Sequence, residues 1–180
     1  MELIKAVTKK ERELVKELYL KAFPKEERKP FDLIVQGQEQ GTVDILCIND
    51  EGKFCGLAIP VIDNDIVLLV FFAIADSKRS GGYGSKALKM IMEKYKGKRF
   101  ILEIEDTAAN AENKEQRIRR KNFYIKNGLI DTGFMINIMG VDMEVLGNTT
   151  DITFEEHRHV YENAFGREIS KQIKKVSERK

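Results

Sequence analysis

The spacing of apolar residues predicts the order of secondary structure along the chain. Residues 66–76 form a long apolar run that is rich in β-branched and aromatic side chains and ends at an aspartate, which is typical of a strand buried on both faces. Leu88, Ile91 and Met92 then recur at helical spacing. A helix is therefore expected to follow and to end near Tyr95. A glycine-rich loop joins the two, and this strand, loop and helix form the centre of the predicted fold.

Capping patterns and turn residues predict the other elements. Residues 8–11 and 153–156 match the capping box, in which a threonine and a glutamate three positions later satisfy the first backbone N–H groups of a helix. Two helices should therefore begin at these residues. Further helices are expected over residues 30–40 and 115–126, and strands over residues 2–7, 43–48, 54–62, 99–105, 130–139 and 141–146. Residues 167–180 are polar and basic and are expected to form a frayed tail.

These elements predict a single α/β domain with a mixed, mostly antiparallel sheet. Tight turns at residues 49–52 and 63–65 join three strands, which should be antiparallel neighbours. A helix separates the central strand from the strand at residues 99–105, so these two should be parallel through a right-handed crossover. The 180 residues suit one domain, with a core at about residues 2–147 and a C-terminal helix and tail at residues 148–180.

Composition and charge narrow the function classes. The formal net charge is +2, so no overall field favours nucleic acid or a membrane, and the basic tail has few aromatic residues. Nucleic acid and membrane partners are therefore not expected. No signal-peptide pattern is present, and Cys47 and Cys55 are expected to be reduced, buried thiols of a cytoplasmic protein. His157 and His159 have no neighbours at metal-ligand spacing, so no metal is expected.

The glycine loop at residues 81–84 fits more than one kind of phosphate site. Glycines let the backbone approach a ligand closely, and a helix start offers unpaired N–H groups to an anion. The P-loop pattern fails because the order here is Gly-Ser-Lys. The dinucleotide fingerprint does match residues 82–87, with Glu103 and Glu105 about 20 residues further on. However, residues 76–81 separate its first glycine from the strand, whereas that fingerprint needs the glycine immediately after the strand.

A third match involves the same loop. Residues 79–84, Arg-Ser-Gly-Gly-Tyr-Gly, match the pattern Gln/Arg-x-x-Gly-x-Gly/Ala. Residues 123–129 read Phe-Tyr-Ile-Lys-Asn-Gly-Leu. The first segment resembles the acetyl-CoA pyrophosphate loop of the GNAT N-acetyltransferases, and the second resembles their later Leu/Phe-Tyr-x-x-x-Gly-Phe segment, with Leu129 in place of Phe. The resemblance covers residues 42–132 well and the two ends by element order.

This resemblance implies a fold, a reaction and an acyl donor. In the GNAT fold the two parallel central strands splay apart, and the pantetheine arm enters between them. The reaction is transfer of an acetyl group from acetyl-CoA, a cosubstrate used without a metal, to an amine by direct attack in a ternary complex. The residues implied in cofactor binding are Phe72, Ala73, Ile74, Arg79, Ser80, Gly81, Gly82, Tyr83, Gly84 and Ser85. The first three would act through their main chain, and the loop would donate N–H groups to the pyrophosphate, supported by the charge of Arg79.

One tyrosine and three acidic residues are the candidates for proton transfer. The resemblance implies that Tyr124 is the general acid that protonates the departing CoA thiolate, and the alternative is an aromatic residue packed beside Phe123 on the inner face of its helix. Glu103 and Glu105 alternate with apolar residues, so both should point to one face of their strand. Glu105 is nearer the strand end at which the site is expected and is the first candidate for the general base, with Glu103 and Asp106 as alternatives. Ion pairing with basic residues is the competing explanation for both glutamates.

A basic cluster opens the second motif, and we interpret it as a solvated helix face. Its members are Arg117, Arg119, Arg120 and Lys121. Contact with CoA phosphates or with an acidic acceptor is the alternative. Many GNAT members have Asn and Ala where Arg117 and Arg120 stand, so the family's cofactor contacts do not carry over there.

Two other functions are compatible with the sequence. One is a non-catalytic acyl-CoA-binding or regulatory module on the same fold, and the other is a dinucleotide-binding oxidoreductase. The acceptor could be a small-molecule or a peptide amine, because acceptor specificity resides in loops without a readable pattern. A homodimer is also compatible with the sequence.

Overall fold

We describe the fold from a computed structural model of the chain, which covers residues 1–78 and 81–176. The strands are β1 (Glu2–Lys5), β2 (Leu46–Asp50), β3 (Lys53–Asp63), β4 (Ile66–Ile74), β5 (Arg99–Glu105), β6 (Ile130–Ile138), β7 (Val141–Gly147) and β8 (Ile173–Lys175). The helices are α1 (Lys9–Ala22), α2 (Phe31–Gln40), α3 (Tyr83–Lys94), α4 (Lys114–Lys126), α5 (Phe154–Phe165) and α6 (Arg167–Ser170). A 3-10 turn spans Asp76–Lys78.

The strands form an eight-stranded sheet in the order β1-β2-β3-β4-β5-β7-β6-β8. β4 and β5 are parallel, the sheet is otherwise mostly antiparallel, and helices flank it. The predicted mixed α/β fold is therefore confirmed. A doubly wound dinucleotide domain would have parallel strands where this sheet has the antiparallel pairs of β1 with β2 and of β2 with β3.

The chain divides into two compact units, and strand β4 contributes residues to both. The first unit comprises Met1–Ile62 and Leu69–Lys96, and the second comprises Asp63–Leu68 and Gly97–Lys180. The single domain expected from the sequence stays a prediction.

Aromatic packing on α1 forms part of the core of the first unit. The predicted capping box is present, with Thr8 accepting from the N–H of Glu11 and Glu11 accepting from the N–H of Thr8. One turn before its end, α1 buries Tyr19, whose ring meets Phe71 of β4 edge-on with centroids 4.8 Å apart. The Tyr19 hydroxyl pairs with the main chain of Lys29, so its polar atom is satisfied inside the core.

A buried carboxylate fixes the C-terminal end of α3 in the first unit. The Tyr95 hydroxyl donates to Asp44 Oδ2 at 2.6 Å, and Lys5 Nζ lies 2.8 Å from Asp44 Oδ1. Burial alone would raise the pKa of Asp44, but the hydrogen bonds from Lys5 and Tyr95 outweigh it and lower the pKa. Asp44 is therefore an ionised anchor between α3 and β1.

An arginine at the start of β5 organises one end of the second unit. Arg99 binds Asp65 through Nε at 2.7 Å and Nη2 at 3.0 Å, and Nη2 also donates to Glu156 at 2.9 Å. Glu156 belongs to the predicted capping box of α5, which is present with Thr153 as the N-cap. One guanidinium thus joins β5 to the start of α5.

Two predicted segments differ from the structure. The strand expected at residues 43–48 begins only at Leu46, and Val43 forms an isolated bridge with Val61 instead. The prediction of a frayed tail from residue 167 was wrong for the first part of that segment. α6 and β8 form there, and β8 pairs antiparallel with β6. Burial of Ile173 in that pairing outweighs the polar local sequence. Cys47 and Cys55 are free and buried, as predicted.

Candidate active site

The loop between β4 and α3 exposes its main chain at a glycine. Gly82 is the N-cap of α3 with φ +73° and ψ 0°, a left-handed conformation that glycine adopts without strain. Gly82 is exposed, and no described atom lies within 4 Å of the position that a Cβ would take. A ligand can therefore approach the backbone here. Arg79 and Ser80, two of the predicted cofactor-binding residues, lie outside the described residues.

The N-terminus of α3 has unpaired backbone donors. No described side chain caps it, so the N–H groups of Tyr83, Gly84 and Ser85 have no partner within the helix. The N-termini of α1 and α5 are closed by capping boxes in contrast. N–H groups without a helical or described side-chain partner and the positive end of the helix dipole together suit a phosphate.

The C-terminal end of β4 offers main-chain groups on one edge. The carbonyl oxygen of Ala73 lies 2.5 Å from the position that a Cβ on Gly56 of β3 would take, so this carbonyl faces β3. The N–H of Ala75 also faces β3, because it donates to the carbonyl oxygen of Cys55 at 2.8 Å. Because main-chain groups alternate between the two edges of a strand, those of Phe72 and Ile74 point to the other edge of β4. These two residues are the better placed of the three predicted pantetheine contacts.

Tyr124 lies near the end of α4 in the second unit, and it is 9% exposed. Its ring packs edge-on against Phe123 with centroids 5.1 Å apart. The hydroxyl has no hydrogen-bond partner among residues 1–78 and 81–176. Burial raises the pKa of Tyr124 to about 12, although the charge of Arg120 opposes this shift. The phenol therefore stays protonated at neutral pH, as a general acid requires.

Two arginines of α4 hold Glu105, the predicted base. Arg117 Nη2 lies 2.6 Å from Glu105 Oε1, and Arg120 Nη1 lies 3.6 Å from Oε2. Each carboxylate oxygen thus faces a guanidinium, so an acceptor ammonium would compete with these arginines. The ion pairing that was the competing explanation is present, and the base role stays a prediction.

The interpretation of the basic cluster as a solvated face is wrong for two of its residues. The side chains of Arg117 and Lys121 are only 14% and 21% exposed, whereas those of Arg119 and Arg120 are 74% and 45% exposed. Arg117 and Lys121 are four residues apart on one helix face, and both meet carboxylates of the sheet. Ion pairs with the sheet therefore explain why these two basic side chains are largely buried.

The partners of Glu103 differ from those of Glu105. Its Oε1 lies 2.5 Å from His157 Nε2, and its Oε2 accepts a hydrogen bond of 2.7 Å from Tyr161. Burial, reinforced by the charge of Glu103, raises the pKa of Tyr161 well above its ordinary value. This buried group links β5 to α5 and was missed from the sequence. A signal was available, since His157 shares the helical stripe of Val160, Tyr161 and Ala164.

A second buried carboxylate in this unit was also missed. Glu144 of β7 is 2% exposed and contacts the ammonium of Lys121, which also lies 2.5 Å from Asp131. Thr107 donates to Glu144 Oε1 through its N–H at 2.7 Å and its hydroxyl at 2.5 Å. Burial alone would raise the pKa of Glu144, but the hydrogen bonds from Lys121 and Thr107 outweigh it and lower the pKa. These contacts dock α4 on β7 within the second unit.

The described part of the chain has no helix that is both long and apolar enough to cross a membrane. Within residues 1–78 and 81–176, no three His, Cys, Asp or Glu side chains are grouped so that they could hold a metal ion.

Comparison with known proteins identifies the fold. No family model and no curated protein matches the chain. A protein from Bacteroides thetaiotaomicron, proposed to be a GNAT-family acetyltransferase, matches with a TM-score of 0.77 at 20% identity, over 93% of this chain and 99% of the other. An aminoglycoside 6′-N-acetyltransferase complexed with coenzyme A matches with a TM-score of 0.65 at 13% identity, over 85% of this chain and 99% of the other. The ribosomal-protein-S18-alanine N-acetyltransferase of Escherichia coli matches with a TM-score of 0.62 at 15% identity, over 86% of this chain and 96% of the other. The chain therefore has the fold that its motifs imply.

Proposed function

We propose that the chain transfers an acetyl group from acetyl-CoA to an amine acceptor. The observation that carries the proposal is the uncapped N-terminus of α3 behind the exposed Gly82, because it offers a pyrophosphate several N–H groups within a GNAT fold. One enzyme of this fold was solved with coenzyme A, which supports the choice of donor.

In this proposal the end of β4 and the start of α3 bind the donor. The N–H groups of residues 80–85 face the pyrophosphate, and the charge of Arg79 adds to the field of the helix. The main chain of Phe72 and Ile74 pairs with the pantetheine amides as an added strand would. Ala73 contributes less, because its carbonyl faces β3.

Two side chains are proposed to move protons. Glu105 takes a proton from the acceptor ammonium, directly or through a water. The neutral amine then attacks the thioester carbon, so that a C–N bond forms as the C–S bond breaks. Tyr124 gives its proton to the departing thiolate, which leaves as the thiol of CoA. Proximity and orientation of the two substrates supply much of the rate.

The acceptor is proposed only as a small-molecule or peptide amine. The two enzymes named above carry an aminoglycoside and a ribosomal-protein alanine in their names. Because the fold alone is shared with them, it does not select between these classes.

The first test is a thermal shift of the purified protein with acetyl-CoA, CoA and NAD in parallel. A ligand that binds only the folded state raises the melting temperature by mass action. We expect shifts with acetyl-CoA and CoA and none with NAD, followed by thiol release in a panel of amines. Binding without turnover on any amine would favour the non-catalytic acyl-CoA module. A shift with NAD alone would overturn the proposal. So would the absence of a shift with all three ligands.

Two matched glycine variants test the place of binding. Gly82 and Gly97 both have positive φ, and no described atom lies within 4 Å of a Cβ at either position. Alanine at either site should therefore cost a similar backbone strain of about 1 kcal/mol. We expect Gly82→Ala alone to weaken CoA binding. Equal CoA affinity in both variants would contradict a donor site at the start of α3.

A further inference from the structure

We infer that Tyr83 is a positioning residue for the donor, because its ring and hydroxyl hold the start of α3 and the preceding Gly81 and Gly82 in place for the pyrophosphate. The inference rests on the proposed function and adds to it a side chain that shapes the loop. Tyr83 is the first residue of α3, so it directly follows the exposed Gly82.

The hydroxyl of Tyr83 is tied to β2. It donates a hydrogen bond of 3.1 Å to Oδ2 of Asp50, the last residue of that strand. The ammonium of Met1 lies 3.1 Å from the other oxygen of Asp50. The hydrogen bonds from Met1 and then from Tyr83 lower the pKa of Asp50, so it is an ionised acceptor at neutral pH. The start of α3 is therefore anchored to the strand by a charge-assisted bond.

The ring of Tyr83 supports the loop on both sides of residues 79–80. A Cβ on Gly81 would stand 3.0 Å from Cδ2 and Cε2 of the ring, so a side chain at this position would require the ring to move by a few tenths of an ångström. On the other side, the ammonium of Lys78 lies over the same ring, 5.2 Å from its centroid. One ring thus lies close to both Lys78 and Gly81.

This arrangement matters because the loop is otherwise exposed. Asp76, Ser77, Gly81 and Gly82 are all exposed, although Asp76 also pairs with Lys21 Nζ at 2.7 Å, so burial does little to hold the main chain here. Ordering a free loop on binding costs conformational entropy, and a loop that is already ordered binds its ligand more tightly. The Tyr83 ring and the Asp50 bond reduce that cost before the donor arrives.

The test compares two tyrosines at opposite ends of α3. Tyr83→Phe removes the bond to Asp50, and Tyr95→Phe removes a bond of the same kind to Asp44. Calorimetric titration with CoA should give a Kd about three- to tenfold higher for Tyr83→Phe, the change expected for one hydrogen bond. Tyr95→Phe should lower the melting temperature more, because Asp44 is buried, and should keep the Kd of the unchanged protein.

A double-mutant cycle separates the bond from other effects of Asp50. Asp50→Asn also disturbs the Met1 contact, so it is compared alone and combined with Tyr83→Phe, with the same N-terminus in all proteins. We expect Tyr83→Phe to raise the Kd less in the Asp50→Asn background than in the unchanged protein, since the neutral amide oxygen is a weaker acceptor than the carboxylate. With an active acceptor, KM for acetyl-CoA should rise in Tyr83→Phe while kcat stays unchanged.

Three results would overturn the inference. Tyr83→Phe could bind CoA as tightly as the unchanged protein, or Tyr95→Phe could weaken CoA binding equally, which would make the effect one of general stability. A fall in kcat at constant KM would also contradict positioning of the donor. If the unchanged protein does not bind CoA, the proposed function itself fails, so the two failures are distinguishable.

Discussion

Glu105 on β5 and Arg117 on α4 form an ion pair of 2.6 Å, with side chains that are only 16% and 14% exposed. The same carboxylate is the proposed general base. The two roles make different demands on it, because a base must give up its cationic partner to take a proton, whereas a structural partner keeps it.

Glu105→Gln separates these roles when it is compared with Arg117→Gln. Glutamine keeps the size of Glu105 but cannot take a proton, so kcat should fall about 100-fold or more. Arg117→Gln removes the same ion pair but keeps the carboxylate, so kcat should fall much less. Both variants should lose about 1–3 kcal/mol of unfolding free energy in urea. Equal turnover in the two variants would assign Glu105 to the ion pair alone.

Tyr124→Phe tests the proposed acid. We expect kcat to fall about 100-fold at neutral pH, because the thiolate loses its proton donor, while KM for acetyl-CoA changes little. Stability should hardly change, since the hydroxyl has no partner among the described residues. Initial rates of thiol release and a urea melt measure the two effects. Turnover at the unchanged rate would exclude Tyr124 as the acid.

The pKa of Tyr124 also predicts a pH profile. A pKa of about 12 keeps the phenol protonated through pH 10, so deprotonation of this residue should not reduce kcat below that pH. The folded protein also holds this proton more tightly than an unfolded chain with the ordinary value of 10.0. Stability from this group is therefore complete below pH 10 and is lost as the pH rises towards 12. A kcat limb that falls between pH 8 and pH 9 and disappears in Tyr124→Phe would contradict this assignment.

The buried group around Glu103 predicts a stability effect without a catalytic one. Tyr161→Phe removes the hydroxyl that donates to Glu103 Oε2 at 2.7 Å, and a bond to a buried charge contributes about 2 kcal/mol. Urea unfolding should show this loss, whereas Glu155→Gln on the exposed face of α5 should show almost none. A loss of kcat in Tyr161→Phe at full folding would instead place Glu103 in the proton pathway.

Local signals in the sequence were sufficient for many elements, including the helix start at the glycine loop. The capping boxes at Thr8 and Thr153 are present, and the strand Arg99–Glu105 has its predicted bounds. The helix start behind Gly82 follows from a contiguous motif. In each case the residues that carry the signal are neighbours in the chain, so their interactions depend little on the rest of the fold.

The other contacts depend on residues that are distant in sequence. His157 and Glu103 are 54 positions apart, and Lys121 and Glu144 are 23 apart. No periodicity relates such pairs, because the docking of a helix on a strand brings them together. Strand β8 is similar, since its three residues have little pattern of their own and pair with β6.

Lys121→Met tests the buried contact with Glu144. The side chain of Glu144 is 2% exposed, so loss of its cation should destabilise the protein, by about 2 kcal/mol at pH 7. The cost stays below that of a fully buried pair, because Thr107 still donates twice and Lys121 is 21% exposed.

The pKa of Glu144 is lowered from 4.5 and that of Lys121 is raised from 10.5. The pair therefore stabilises the fold between these values, and its contribution is lost as the pH falls through the lowered pKa of Glu144. Urea unfolding should show the variant's deficit at pH 7 and a smaller deficit below pH 4.5, whereas Lys126→Met, at an exposed position of the same helix, should show none. A deficit that is equal at both pH values would mean that the packing of the lysine stem, and not its charge, stabilises α4.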